Sequence, residues 1–110
     1  MEKVRKYQKA LMGILEYYAA IRSPFMPDVE NKIIVDTKNN HYQLVRIGWY
    51  KDSHVHYSVF HFEIVEGKVI VHENRTDINI KEELTDAGIA LKDIQPASQH
   101  PSLRVAMEVA

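Results

Sequence analysis

The sequence contains no cysteine, which removes a disulfide framework, a thiol nucleophile, Cys-ligated zinc and iron–sulfur clusters in one step. Its four glycines all stand singly, so there is no glycine-rich phosphate loop and no Gly-x-Ser-x-Gly elbow. Apolar runs extend only a few residues, far short of the roughly 18–20 that cross a bilayer. The opening Met-Glu-Lys-Val-Arg-Lys is not followed by a long apolar run, so neither a secretory signal nor a membrane anchor is expected. Neither sign of charge is in excess: 14 basic against 15 acidic residues leave a formal −1, which argues against a strongly cationic nucleic-acid binder.

What remains is 110 residues, 45% hydrophobic and 26% charged, the composition of one globular domain spanning 1–110, with the cytoplasm as its expected location. Residues 1–55 carry a charge of +3 and residues 56–110 carry −4. The two halves can therefore attract each other, within a molecule or between copies.

Val4, Tyr7, Leu11, Ile14, Leu15, Tyr18 and Ile21 step by three and four, predicting an amphipathic helix over about residues 2–21. Ser23-Pro24 stops it, because the residue before proline is pushed out of the α region. From about residue 30 the pattern turns to strands. Ile33-Ile34-Val35, His41 to Trp49, His54 to Val65 and Lys68 to His72 are separated by Asp36–Asn40, Tyr50–Ser53 and Glu66-Gly67. Turns this short join antiparallel neighbours, since parallel crossovers need a dozen or more residues. In the third strand the apolar parity moves from Val55, Tyr57 and Val59 to Phe60, Phe62 and Ile64, which predicts a β-bulge near Val59-Phe60. Thr76 or Asp77 is the expected cap of a second helix that contains Ile78, Ile80, Leu84 and Ala87 and stops at Gly88. The expectation is an α+β two-layer fold: N-terminal helix, four-stranded antiparallel meander, second helix and C-terminal extended tail. Apolar residues on both strand parities predict two partly covered sheet faces, with a surplus that points to a homo-oligomer or a partner.

The six histidines are the first place to look for chemistry. His54-x-His56 sets two imidazoles on one face of a strand, and His61, His72 or Glu63 could supply a third ligand to a metal. Parity weighs against it, because His61 faces away from His54 and His56 if the strand is regular. Polar positions beside a turn are the favoured reading, and no cofactor is expected. Asp28 with Glu66-Gly67-Lys68 imitates the Asp…Glu-x-Lys set of magnesium nucleases, but a hairpin turn cannot hold the Glu and Lys side by side in mid-strand. Ser53, Ser58, Ser98 and Ser102 could enter a hydrolytic triad only through residue types found in nearly every domain. Lys3, Arg5, Lys6 and Lys9 give the first helix a basic face, for which a solvated surface is the simpler reading than direct DNA binding.

Taken together, the chain resembles the XisI-like family, named for the fdxN element excision controlling factor. The resemblance begins with the Tyr7–Tyr18 helix. It continues through Asp36-Thr37, His41-Tyr42-Gln43-Leu44 and Gly48-Trp49, then His56, His61 and Gly67-Lys68. Glu82-Glu83-Leu84, Gly88-Ile89, Lys92-Asp93-Ile94, His100-Pro101, Arg104 and Val109-Ala110 complete it. The chain departs from the family pattern at Lys68-Val69-Ile70-Val71, Gln95-Pro96-Ala97-Ser98 and Met107-Glu108. The resemblance implies a cytoplasmic, cyanobacterial-type, non-enzymatic accessory factor for DNA-element excision, acting through an XisH-like protein. It carries over no catalytic residue. The rival readings are a small metal-dependent enzyme using His54 and His56, and a DNA-binding module using the basic helix.

Overall fold

The computed structural model describes residues 2–97. In chain order it holds α1 (Glu2–Ala19), β1 (Val29–Asp36), β2 (His41–Tyr50), β3 (Ser53–Val65), β4 (Lys68–Asn74), α2 (Ile80–Asp86), a 3₁₀ turn (Leu91–Asp93) and β5 (Ile94–Pro96). The strands form one sheet in the order β1-β2-β3-β4-β5. The first four make the antiparallel meander that the short turns require. β5 adds a fifth strand, parallel to β4, with α2 on the connection between them. Sequence reading stops at four strands because β5 is three residues long and ends on Pro96, which offers no alternation to detect. The α+β class stands, with this extra strand in place of the first part of the expected tail. Arg104, His100 and the remainder of the tail lie outside the described residues.

α1 ends at Ala19, two residues before the predicted stop, because a side chain from the sheet takes its orphan carbonyls. Asn31 Nδ2 donates to Ile21 O at 2.7 Å and to Ala19 O at 3.4 Å. Asn31 is held in turn by Arg46, whose Nε donates to Asn31 Oδ1 at 3.2 Å and whose Nη1 donates to the Tyr57 hydroxyl at 3.0 Å. α2 starts later than expected. Asn79, not Thr76 or Asp77, is its cap, its side chain accepting from Glu82 N. Thr76 Oγ1 accepts from Ile78 N instead, so the turn before α2 uses it up.

The two helices cover one face of the sheet. Tyr7, Leu11, Ile14 and Leu15 of α1 and Leu84 of α2 pack on Tyr42, Leu44, Phe60, Phe62, Ile64 and Val69. Neither helix lies on the opposite face, yet Val45 and Ile70 on that face are buried, so it too is partly covered. The bulge falls where the parity switch put it: Leu44 pairs Phe60 while Val45 pairs Ser58, so Val59 is the extra residue. A second irregularity between His61 and Phe62 inserts His72 into β4, because His61 pairs Glu73 and Phe62 pairs Val71.

Candidate functional site

The bulge decides where the histidines point. Before Val59 the open-face residues of β3 are His54, His56 and Ser58; after it they are His61 and Glu63. The register confirms the shift: Trp49 stands opposite His54, Ile47 opposite His56, Gln43 opposite His61 and His41 opposite Glu63. The parity objection raised from the sequence applies to a regular strand, and one additional residue removes it. All five described histidines share the face that carries no helix.

They form two groups. At the β2–β3 hairpin end, the Trp49 and His54 rings are 5.2 Å apart, and His54 stacks over His56 at 6.3 Å with 12° between planes. Trp49 is 55% exposed, a large apolar ring on display. In mid-sheet, β2, β3 and β4 bring His41, His61, Glu63 and His72 together. His41 Nδ1 lies 2.9 Å from His61 Nε2, and the two rings share one proton in that hydrogen bond. His72 Nε2 lies 2.8 Å from Glu63 Oε1, and His41 Nε2 lies 3.5 Å from Glu63 Oε2. The His61 and His72 ring centroids are 4.7 Å apart. Burial and then the neighbouring His72 and His41 lower the pKa of His61 from the usual imidazole value, and the Glu63 carboxylate only partly opposes them.

This cluster is a hydrogen-bonded network, not a coordination sphere. Both His41 nitrogens, His61 Nε2, His72 Nε2 and both Glu63 oxygens are engaged with one another, and among the described residues no group of three or more His, Cys, Asp or Glu side chains is arranged to hold an ion. His54 and His56 stand apart from it, towards the hairpin tip. The three metal candidates from the sequence therefore split, with His61 in the cluster and His54 and His56 beside Trp49.

The remaining signature positions have local roles. Asp36 Oδ1 accepts from the backbone N–H groups of Lys38 and Asn39 at 3.0 and 3.1 Å, while Oδ2 accepts from Asn39 Nδ2 at 2.7 Å. The Asn39 side chain, then these backbone groups, hold its carboxyl below the usual range. Tyr42 is buried at 1% exposure, with its hydroxyl donating to Asn40 Oδ1. Gly48 has φ +153°, and a Cβ built there would sit 2.1 Å from Asp28 O. Glu66 and Gly67 have φ +49° and +77°, the pair of positive values that a two-residue hairpin turn demands, and Lys68 opens β4. That turn packs beside Lys3, near the start of α1, whereas Asp28 abuts Gly48 near the other end of the sheet. The nuclease-like set is thus never assembled.

Of the basic helix residues, Lys3 is engaged: its Nζ is 2.9 Å from Asp93 Oδ2. Ser58 Oγ donates to Gln43 Oε1 at 2.9 Å and meets no catalytic base. The polar cluster that sequence reading missed is Tyr7–Asp93–Lys3. Asp93 is 3% exposed and accepts from the Tyr7 hydroxyl at 2.5 Å, and that hydroxyl in turn accepts from Ala90 N at 3.2 Å. Burial alone would raise the Asp93 carboxyl, but Tyr7 and Lys3 together outweigh it and hold it below the ordinary value. Tyr7 sits on the apolar stripe of a helix, so nothing in the sequence marks it as the donor to an acid 86 positions away.

Fold and site together define a small two-layer α+β protein whose helix-free sheet face displays five histidines among the described residues. The sequence matches the family described as XisI protein over residues 1–110, and the chain belongs to that family. A XisI-like protein from Anabaena variabilis is 36% identical, with a TM-score of 0.81 over 94% of each chain. The fdxN element excision controlling factor XisI from Anabaena variabilis is 29% identical, with a TM-score of 0.73 over 93% of this chain and 98% of that one. No curated protein matches. Among the described residues no helix is long and apolar enough to cross a membrane.

Proposed function

We propose that this chain is a non-enzymatic accessory factor in DNA-element excision that acts by binding an XisH-like protein in the cytoplasm. The observation that carries this reading is the match in fold over nearly full length to a protein named as an excision controlling factor. The site is consistent with it. The open face offers a displayed Trp49 and a polar histidine row, which is the chemistry of a contact surface, with an aromatic anchor and hydrogen-bonding neighbours. Acid–base catalysis would instead ask for a titratable pair converging on a pocket. The basic side of α1 is a weaker claimant for DNA, because Lys3 is committed to Asp93 and Glu2 lies among Arg5, Lys6 and Lys9.

The test is co-purification of the untagged chain with the XisH-like protein encoded nearest to it. A stoichiometric complex is expected, weakened about tenfold or more by Trp49→Ala if the ring is an interface anchor. No complex at micromolar concentrations would overturn the reading. Tight binding to duplex DNA by the chain alone, falling steeply with salt, would replace it with the DNA-binding alternative.

A further inference from the structure

Among the described residues, the two outer strands of the sheet are unequal. β5 is three residues long and ends on Pro96, which has no N–H to offer a neighbour. β1 is eight residues long, with no proline and no break in its register to β2. The Trp49 N–H donates to Asp28 O at 3.2 Å, which fixes the phase of the β1–β2 ladder. By alternation, the even residues of β1 bond to β2, so the backbone groups of Asn31, Ile33 and Val35 point away from the sheet. Among the described residues no strand pairs with them. Ile34 is 46% exposed on the helix-free face beside this open edge.

We propose that two copies of this chain join edge to edge through β1, antiparallel about a two-fold axis at Ile34, so that the two sheets become one. A two-fold axis normal to the sheet keeps each face on its own side and makes the interface self-complementary. In this register Ile34 meets the partner's Ile34. Lys32 meets the partner's Asp36, and Ile33 meets the partner's Val35, each twice over by symmetry. Glu30 then comes towards the partner's Lys38. Neighbouring registers fail on charge: centring on Lys32 sets that lysine against itself, centring on Ile33 sets Asp36 against the partner's Glu30, and centring on Val35 sets Lys32 against the partner's Lys38. Among these four alignments charge selects one, while main-chain bonds and Ile34 supply the attraction.

The helix layer agrees with the same axis. The Gln8–Asn40 bond at 3.0 Å and the Asn31–Ala19 bond at 3.4 Å show that α1 runs antiparallel to β1. The groove between them is lined along α1 by Arg5, Lys9, Met12 and Glu16, with Val35 as part of its floor. The two-fold axis brings the acidic end of one groove towards the basic end of the other. This proposal stands independently of the excision reading.

The absence of cysteine makes the test clean. Sedimentation velocity over a wide concentration range should show the wild-type chain in monomer–dimer exchange. Ile34→Lys should shift the midpoint to at least about tenfold higher concentration, while circular dichroism reports an intact fold. Ile34→Cys should form a disulfide-linked dimer on mild oxidation. Directly opposed Cα atoms at a non-hydrogen-bonded pair lie about 4.5 Å apart, within disulfide reach. Leu91→Cys, at a more exposed position remote from β1, should stay monomeric. A wild-type chain that is monomeric throughout, a dimer indifferent to Ile34→Lys, or a Leu91→Cys variant that links as fast as Ile34→Cys would each overturn the proposal. A strand from a different protein closing this edge would produce the first of those outcomes.

Discussion

Asp93 illustrates what a single buried charge requires. With 5% of its side chain exposed it would raise the free energy of the fold if left alone, and both of its close partners come from α1. Replacing Asp93 by Ala leaves the Tyr7 hydroxyl without its acceptor and frees Lys3. The expected cost is about 2–3 kcal/mol, read as a lower urea midpoint at unchanged slope. Gly48 is a steric counterpart. A methyl group there must displace the Asp28–Val29 backbone, so Gly48→Ala should cost about 2–4 kcal/mol. His61 carries the pH prediction. Its folded pKa lies below the ordinary value of 6.5, so the unfolded chain binds the proton more readily. The stability tied to it is complete above that value, declines as the pH falls below it, and is lost once the folded pKa is passed. Urea midpoints across the acid limb should therefore fall less steeply for His61→Gln than for the wild type; equal slopes would show that the His61 pKa is not lowered in the fold.

At the scale of the element, legibility tracked how local the determining physics is. The stripe of α1, the short turns and the bulge at Val59 are written in the spacing of neighbouring residues, and the structure reproduces them. The cap at Asn79 was misplaced because Thr76 and Asn79 are both competent cappers. The choice between them rests on Asn74 and Ile78, whose bonds consume Thr76 first. β5 and the Tyr7–Asp93 pair escaped because each depends on a partner far along the chain. The histidine face was half legible. The bulge was predicted and so were the candidate ligands, but the consequence of the first for the second emerges only when the register is known.

At the scale of the whole molecule, the layers divide the labour. The helix-covered face holds the packed aromatics, including Phe60 stacked on Phe62 at 5.7 Å and edge-to-face with Tyr18 at 5.4 Å, and it is where stability resides. The helix-free face and the β1 edge hold what is displayed: Trp49, five imidazoles and Ile34. Ile34 and Trp49 are the large exposed hydrophobic side chains that give this side its contact character. The proposed partner on the broad face and the proposed second copy at the edge would occupy different surfaces. The two associations can therefore coexist, and Trp49→Ala should weaken the first while leaving the sedimentation of the chain alone unchanged.

The clamp between Tyr7 and Asp93 also bears on birth of the protein at the ribosome. Tyr7 is among the first residues made, yet its acceptor is synthesised 86 positions later. Through most of translation α1 must wait with its polar group unmatched beside a growing hairpin stack, so the helix layer can lock only after nearly all of the described chain has emerged.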